Sequence, residues 1–334
     1  MLKFGFGAVP EATLGHARYL VRLGEQLGYD VAWMPDQTFF RDPFVLLTVF
    51  AMETERIELR LGVTNPYTRH PALVARASAT IDELSGARFS LAYGAGNRKE
   101  LLLPLGMEQS EAGPRCREAV VVSKQLLAGE TVHYRSDTLV VDGVTLLTPP
   151  RPDLRVYLAG RGPYILKAAG EVADGAIIGG LVSPSGISYA LQMVRDGARS
   201  KGRDAGKMDM IWWGSCYLTD DRQAIVDQLK SSVAHIIGGA PISVLQTIGL
   251  SDGRIDQLKK KYVAEGPAGA ATLVTEEEID LFSIVGDGKE CSDKIAGLEK
   301  AGINQIGLLL NQPTAEAQQS FLRQFASEVI PYFR

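Results

Sequence analysis

The sequence predicts an α/β protein, a (β/α)8 TIM barrel with insertions, and three features predict it. Short apolar runs rich in β-branched residues alternate with amphipathic stretches, the signature of repeated βα units around a parallel sheet. Eight such runs occur, the number that closes a barrel. The turns that follow the strands carry Gly, Asn, Asp and Pro, whereas the turns that follow the helices read as routine caps, so one face of the barrel is set apart.

Strands are expected at Lys3–Ala8, Asp30–Met34, Ile57–Val63, Arg88–Tyr93, Arg155–Leu158, Gly175–Ile178, Met210–Tyr217 and Gln305–Leu310. Their shortness, together with the turn residues around them, favours buried strands over helices. Helices follow with clear stops: Leu14–Leu27 ends at Gly28, Ala72–Leu84 at Gly86, Ile165–Ala173 before Asp174–Gly175, and Asp293–Ala301 at Gly302. A last helix spans Thr314–Val329. Two stretches break the rhythm. Thr131–Thr148 alternates as a β-hairpin does, and Ile237–Ser283 holds short helices near Ile242–Ile248, Arg254–Ala264 and Thr275–Leu281. The expected organisation is therefore one barrel domain over residues 1–334, with insertions at about 131–148 and 237–283.

With 334 residues, 46% of them hydrophobic and 22% charged, the chain has ample material for one large core. A formal charge of -4 gives no electrostatic reason to bind nucleic acid or an anionic membrane, so small molecules are the expected partners. No apolar run approaches the roughly 18–20 residues a membrane span needs, and Lys3-Phe4-Gly5-Phe6-Gly7 is no secretory leader, which points to the cytoplasm. Cys116, Cys216 and Cys291 lack CxxC spacing and read as buried thiols; His16, His70, His133 and His235 lack metal-ligand spacing, so no metal is expected. The run Lys259-Lys260-Lys261 reads as a solvated helix face.

Candidate site residues cluster in the turns after the strands, where α/β enzymes place ligands. Gly62-Val63-Thr64-Asn65-Pro66 ends the third strand in open backbone. Asp36 and Gln37 follow the second strand beside aromatic residues, and Asp36 reads either as a ligand group or as a cap for the helix near Asp42. Gly94-Ala95-Gly96-Asn97 lacks Cβ bulk at two positions, so a planar ring or a phosphate can approach its backbone. Gly160-Arg161-Gly162-Pro163 feeds a helix N-terminus, a phosphate cradle through free N–H groups and the helix dipole. Gly179-Gly180 ends the sixth strand in the same way. With no GxSxG, no HExxH and no Cys beside a His, the sequence fits chemistry that needs positioning more than side-chain nucleophiles, such as hydride transfer from a cofactor.

The turn Thr68-Arg69-His70-Pro71, followed by a helix and the run Asp82-Glu83-Leu84-Ser85-Gly86-Ala87-Arg88, resembles the luciferase-like TIM-barrel family over nearly the whole chain. Gly62-Val63-Thr64-Asn65-Pro66, Gly94-Ala95-Gly96 and Gly160-Arg161-Gly162-Pro163 are similar to its coenzyme F420-dependent branch, notably the methylenetetrahydromethanopterin reductases. The resemblance implies a non-prolyl cis peptide at Gly62-Val63 behind the deazaflavin ring, with Asp36, Thr64 and Gly94 to Asn97 along the ring's polar edge. It further implies that the cofactor phosphate lies against Gly160-Arg161-Gly162-Pro163; Gly179, at the end of the sixth strand, is a further candidate for the cofactor. The implied activity is hydride exchange between the deazaflavin and a small organic substrate, with Asp36, Gln37 and Asn97 at the catalytic positions and a homodimer as the assembly. An FMN-dependent monooxygenase is the alternative, with FMN as cofactor. Three positions that carry acidic or histidine groups in the branch are neutral here: Gly7, Gln37 and Asn97. Tyr67, His70, Glu100 and water remain as candidate proton donors.

Overall fold

A computed structural model describes residues 1–7, 13–37 and 39–334. In chain order the elements are β1 (Lys3–Gly7), α1 (Leu14–Gln26), β2 (Val31–Met34), α2 (Pro43–Glu53), β3 (Glu58–Thr64), α3 (Pro71–Leu84), β4 (Phe89–Tyr93) and α4 (Ala112–Leu127). There follow β5 (Val132–Arg135), β6 (Val140–Val144), β7 (Val156–Gly160), α5 (Pro163–Val172), β8 (Gly175–Gly179), α6 (Pro184–Ser200) and β9 (Asp209–Leu218). The remainder is α7 (Val226–Gly239), α8 (Ile242–Thr247), α9 (Asp252–Ala271), α10 (Glu276–Phe282), β10 (Ile284–Gly286), α11 (Gly288–Ala301), β11 (Gln305–Leu309) and α12 (Ala315–Glu328).

Eight parallel strands close the barrel in the order β1-β2-β3-β4-β7-β8-β9-β11 and back to β1. All eight expected strands are present; the expected end of the first, Ala8, lies outside the described residues. The hairpin expected over 131–148 is the antiparallel pair β5–β6. The short strand β10 was not expected; it pairs with Cys216–Leu218, the stretch of β9 beyond its pairing with β11. At three residues it carries too little pattern to read. In the long insertion Ile237–Gly239 belong to α7, and α9 outruns its expected end, broken at Gly266 with φ 73° ahead of Pro267. Lys259 does not face solvent alone: its ammonium donates to Ile237 O, Gly238 O and Ala240 O, capping the end of α7.

Inside the barrel, Val31, Trp33, Ala92, Tyr157, Ile177 and Ile211 form a small core separate from the shell between strands and helices. Barrel interiors are commonly filled by branched aliphatics. Here two indoles do it: Trp33 and Trp213 lie with ring centroids 4.7 Å apart at 33°. The neighbouring strands make room by having no side chain. A Cβ on Gly5 would stand 2.8 Å from Trp33 Nε1, and one on Gly62 2.4 Å from Trp33 Cε3. A Cβ on Gly7 would stand 2.5 Å from Trp213 Cη2, and one on Gly307 2.5 Å from Trp213 Cε3.

Beneath the indoles, toward the strand N-termini, the barrel is ionic. Arg60 is 1% exposed; its guanidinium lies over the Trp33 and Tyr157 rings at 4.5 and 4.2 Å and donates to Ser90 Oγ at 2.8 Å, Gln305 Oε1 at 3.1 Å and the Glu58 carboxylate. Burial pushes the Glu58 carboxyl up, but the Arg60 charge and the Ser90 hydroxyl outweigh it and hold the group below its ordinary 4.5. Tyr157 OH donates to Asp209 Oδ2 at 2.7 Å, and Arg155 pairs with the same carboxylate.

Two predictions follow from this interior. Gly7→Ala drives a methyl group into the Trp213 ring and is expected to cost about 1–3 kcal/mol in denaturant unfolding; the Gly7→Ala, Trp213→Phe double variant should lose less than the sum of the singles, since phenylalanine lacks the atoms in the way. Arg60→Ala leaves the half-buried Glu58 carboxylate with only Ser90 and the exposed Lys3, empties the space over Trp33 and Tyr157, and is expected to cost about 2–3 kcal/mol at neutral pH. Because the folded Glu58 value is lowered, its stabilisation is fully present above about 4.5 and is lost as the pH falls through that lowered value. An unfolding series in acid should show that decline in the wild type and a flatter profile in Arg60→Ala.

Candidate active site at the carboxyl ends of the strands

The third strand ends in a bulge. Its register against β4 slips between Gly62 and Thr64, and the Gly62–Val63 peptide bond is cis, as the resemblance implied. The bulge is held on both sides. Asp36 N donates to Val63 O at 3.2 Å from the end of β2, and Gly94 N donates to Thr64 O at 2.9 Å from the end of β4. Val63 leans on Gly94, where a Cβ would stand 2.8 Å from Val63 Cγ2, while Gly62 meets the Trp33 ring on the core side.

Asp36 is the hub of the polar side. Its Oδ2 accepts from Thr64 Oγ1 and from Arg69 Nε, each at 2.7 Å, and its Oδ1 accepts from Arg69 Nη2 at 3.4 Å. Arg69 also donates to Asp42 Oδ2 at 2.7 Å and lies 5.0 Å over the Phe44 ring. Burial lowers the Arg69 value, but the two carboxylates outweigh it and raise the net value. Asp42, not Asp36, caps α2, accepting from Phe44 N and Val45 N. Burial pushes Asp42 up, yet Arg69 and these amides hold it below the usual carboxylate range. Gln37 is exposed next to this network.

Other expected residues have local duties. Asn65 is 1% exposed, and its Oδ1 accepts from Tyr67 N and Thr68 N, fixing the turn after the bulge. Asn97 caps the π-helical turn Arg98–Leu102 through Glu100 N and donates to the Glu100 carboxylate. Gly94, Ala95 and Gly96 form the loop before it, and Gln109 Nε2 clamps that loop through Ala95 O and Gly96 O at 2.8 and 3.0 Å. Of the candidate proton donors, Tyr67 gives its hydroxyl proton to Ser110 O and is pushed up to about 12 by burial, and His70 Nδ1 accepts from Ala72 N as the cap of α3. Glu100 stands exposed on the π-helical turn.

The β7–α5 turn is tight: a Cβ on Gly160 would overlap Ile165 Cγ2 at 2.2 Å. Gly162 opens α5 with no side-chain cap and Pro163 follows in the first turn, so that turn's amides have no side-chain acceptor. Pro241 of the insertion leans on the turn, with its Cγ 3.3 Å from where a Gly162 Cβ would stand. The Arg161 side chain leaves the turn and crosses the end of β8: its Nη2 lies 3.1 Å from the site of a Gly179 Cβ and its Nη1 reaches Ile236 O at 3.4 Å. It thereby enters a cavity of about 550 Å³ walled also by Gly179, Trp213, Ser215, Tyr217 and Asn311.

The strand ends singled out in the sequence, with Asp36 and the glycine turns, lie together at this face, and the bulge is the one the resemblance implied; Arg69, Gln109, Trp213 and Tyr217 were given no role. Arg69 was visible only within a motif, and Gln109 acts from a loop with no pattern of its own. Trp213 and Ser215 did carry a signal, since they alternate with Ile211 along β9 on its inward face. Among the described residues no group of His, Cys, Asp and Glu gathers as a metal site.

Residues 3–305 match the family described as luciferase-like monooxygenase. The chain is 31% identical over 334 residues to 5,10-methylenetetrahydromethanopterin reductase of Archaeoglobus fulgidus, with 99% of each chain covered. It is 26% identical to the F420-dependent glucose-6-phosphate dehydrogenase of Kineococcus radiotolerans, covering 100% of this chain and 97% of that one. The structure of coenzyme F420-dependent tetrahydromethanopterin reductase from Methanopyrus kandleri superimposes with a TM-score of 0.86 at 27% identity, covering 100% of this chain and 99% of the other. On a match that spans most of its length, the chain belongs to the luciferase-like monooxygenase family.

Proposed function

We propose that the chain is a coenzyme F420-dependent oxidoreductase that exchanges a hydride between the deazaflavin and a small organic substrate. The observation that carries this reading is the end-to-end likeness to a solved F420-dependent reductase, TM-score 0.86 at 27% identity. The residues present fit the cofactor. The bulge and Trp213 offer an apolar wall for a tricyclic ring, Asp36 offers a polar edge braced by Thr64, and the uncapped first turn of α5 offers amides to a phosphate.

A bound deazaflavin supplies a ring carbon that gives or takes a hydride and reacts sluggishly with oxygen. The chain's own residues position it. Gly62, Val63, Thr64 and Asn65 form the wall behind the ring, with Gly94, Ala95, Gly96 and Asn97 beside it. The turn Gly160-Arg161-Gly162-Pro163 takes the phosphate on its backbone amides, Pro163 setting the first turn without an N–H of its own, and Gly179 keeps the neighbouring strand end open. Asp36 orients Thr64 and is itself held by Arg69, so its part is positioning, while Gln37 and Asn97 are neutral hydrogen-bonding groups at the substrate side. We place the protein in the cytoplasm as a homodimer. No helix among the described residues is long and apolar enough to cross a membrane. Val45 and Met52 of α2 and Leu73 of α3 are exposed apolar side chains on two helices in contact, a face suited to a second copy.

Titration of the purified protein with coenzyme F420 and with FMN, followed by cofactor fluorescence, tests the assignment. Saturable F420 binding that Asp36→Ala weakens about tenfold is expected; tight FMN binding without F420 binding would make the protein a flavin enzyme instead. In sedimentation the 36.1 kDa chain should run as a dimer, and Val45→Glu with Met52→Glu should shift it to monomer.

A further inference from the structure

The cavity between the ends of β8, β9 and β11 and the flank of α7 contains features that the cofactor reading leaves unused. Its wall holds Arg161 and His235 and no Asp or Glu. Arg161 is half-buried, and several other buried or half-buried guanidinium groups are compensated. Arg60, Arg69, Arg151 and Arg254 each pair with a carboxylate, and Arg88 donates to four backbone carbonyls. Arg161 has neither. Among the described residues it makes one long bond, 3.4 Å to Ile236 O, and burial lowers its value to about 10. A desolvated charge without a counter-ion is costly, and an arriving anion removes the cost.

The rest of the wall is a set of donors. Ser215 Oγ accepts from Asn311 Nδ2 at 2.9 Å, which leaves its own proton to give. Asn311 is anchored in turn, because Gln228 Nε2 donates to its carbonyl. Tyr217 is 5% exposed, lines the cavity, and holds its buried hydroxyl beside the Asn311 side chain without a well-formed hydrogen bond. At about 550 Å³ the space exceeds a lone anion and accommodates one joined to an organic frame. Trp213 is the wall between this space and the barrel centre, so an anion held here sits at the edge of the hydride-transfer chamber.

We propose that this cavity is the substrate's anion subsite: it takes a phosphate or carboxylate borne by the substrate, with Arg161 as its counter-charge and Ser215 and Tyr217 as hydroxyl donors. The inference rests on the F420-oxidoreductase reading for the identity of the neighbouring site. The same anion chemistry exists in the cofactor's own phosphate, so the experiment must separate the two sources.

Calorimetric titration of the full chain with inorganic phosphate, and separately with acetate, is run with and without saturating F420. The expected result is saturable anion binding to the F420-loaded protein, weakened about 10- to 100-fold by Arg161→Gln and severalfold by Tyr217→Phe, and partly restored in Arg161→Lys. Melting curves of the variants report folding, and F420 affinity, read by cofactor fluorescence, decides which source of anion the guanidinium serves. Phosphate that competes with F420, together with F420 binding lost in Arg161→Gln, would assign the guanidinium to the cofactor and overturn the proposal. Absence of anion binding in the wild type would overturn it as well. Failure of F420 to bind the wild type would instead strike the cofactor reading, and anion binding by the cofactor-free chain, with its loss in Arg161→Gln, would still judge the subsite.

Discussion

Two indole rings in a barrel that has no spare room set the terms for everything above them. Trp33 and Trp213 fit only because Gly5, Gly7, Gly62 and Gly307 contribute no side chain to the interior. Interiors are packed near crystalline density, so each ring fixes the small residue opposite it. Gly62 is the junction: it faces Trp33 on one side and continues into the bulge that carries Val63 and Thr64 to the barrel mouth. Gly7, one of the neutral positions noted in the sequence, is a place where a side chain would meet the Trp213 ring. The neutral first strand is thus a packing consequence as much as a chemical one.

The polar side of the site obeys a different constraint, charge balance. Asp36 and Asp42 share one guanidinium, that of Arg69, and Asp42 also receives the first amides of α2. The arrangement ties the end of β2, the bulge in β3 and the turn before α3 into one network, so that Thr64 is held by a carboxylate that is itself held. Such indirect support is what keeps binding groups in position without loading the site with free charges.

The barrel was legible because its eight strands are apolar runs of the right length and its helices end at glycines, signals that are local in sequence. The β7–α5 turn was legible for the same reason, its glycines marking where backbone comes close, whereas the bulge at Gly62-Val63 was legible only through the family resemblance. What was not legible depends on distance through space. Arg161 sits in a turn whose glycines point to phosphate, yet its side chain leaves that turn for α7, a direction set by the absence of a side chain at Gly179. Arg69 acquires its role only when β2 and β3 lie side by side. Lys259 looked like one of three solvated cations until the insertion folded and brought the end of α7 beneath it.

The chain's three tryptophans are Trp33, Trp212 and Trp213, and all belong to barrel strands. Trp33 and Trp213 face each other at the centre, and Trp212 points outward, its indole N–H given to Leu181 O. The helical shell and the insertion hold no indole at all. Two of the three indoles therefore emit from the barrel centre, one of them in the cavity wall, which makes the molecule its own optical gauge of what enters there.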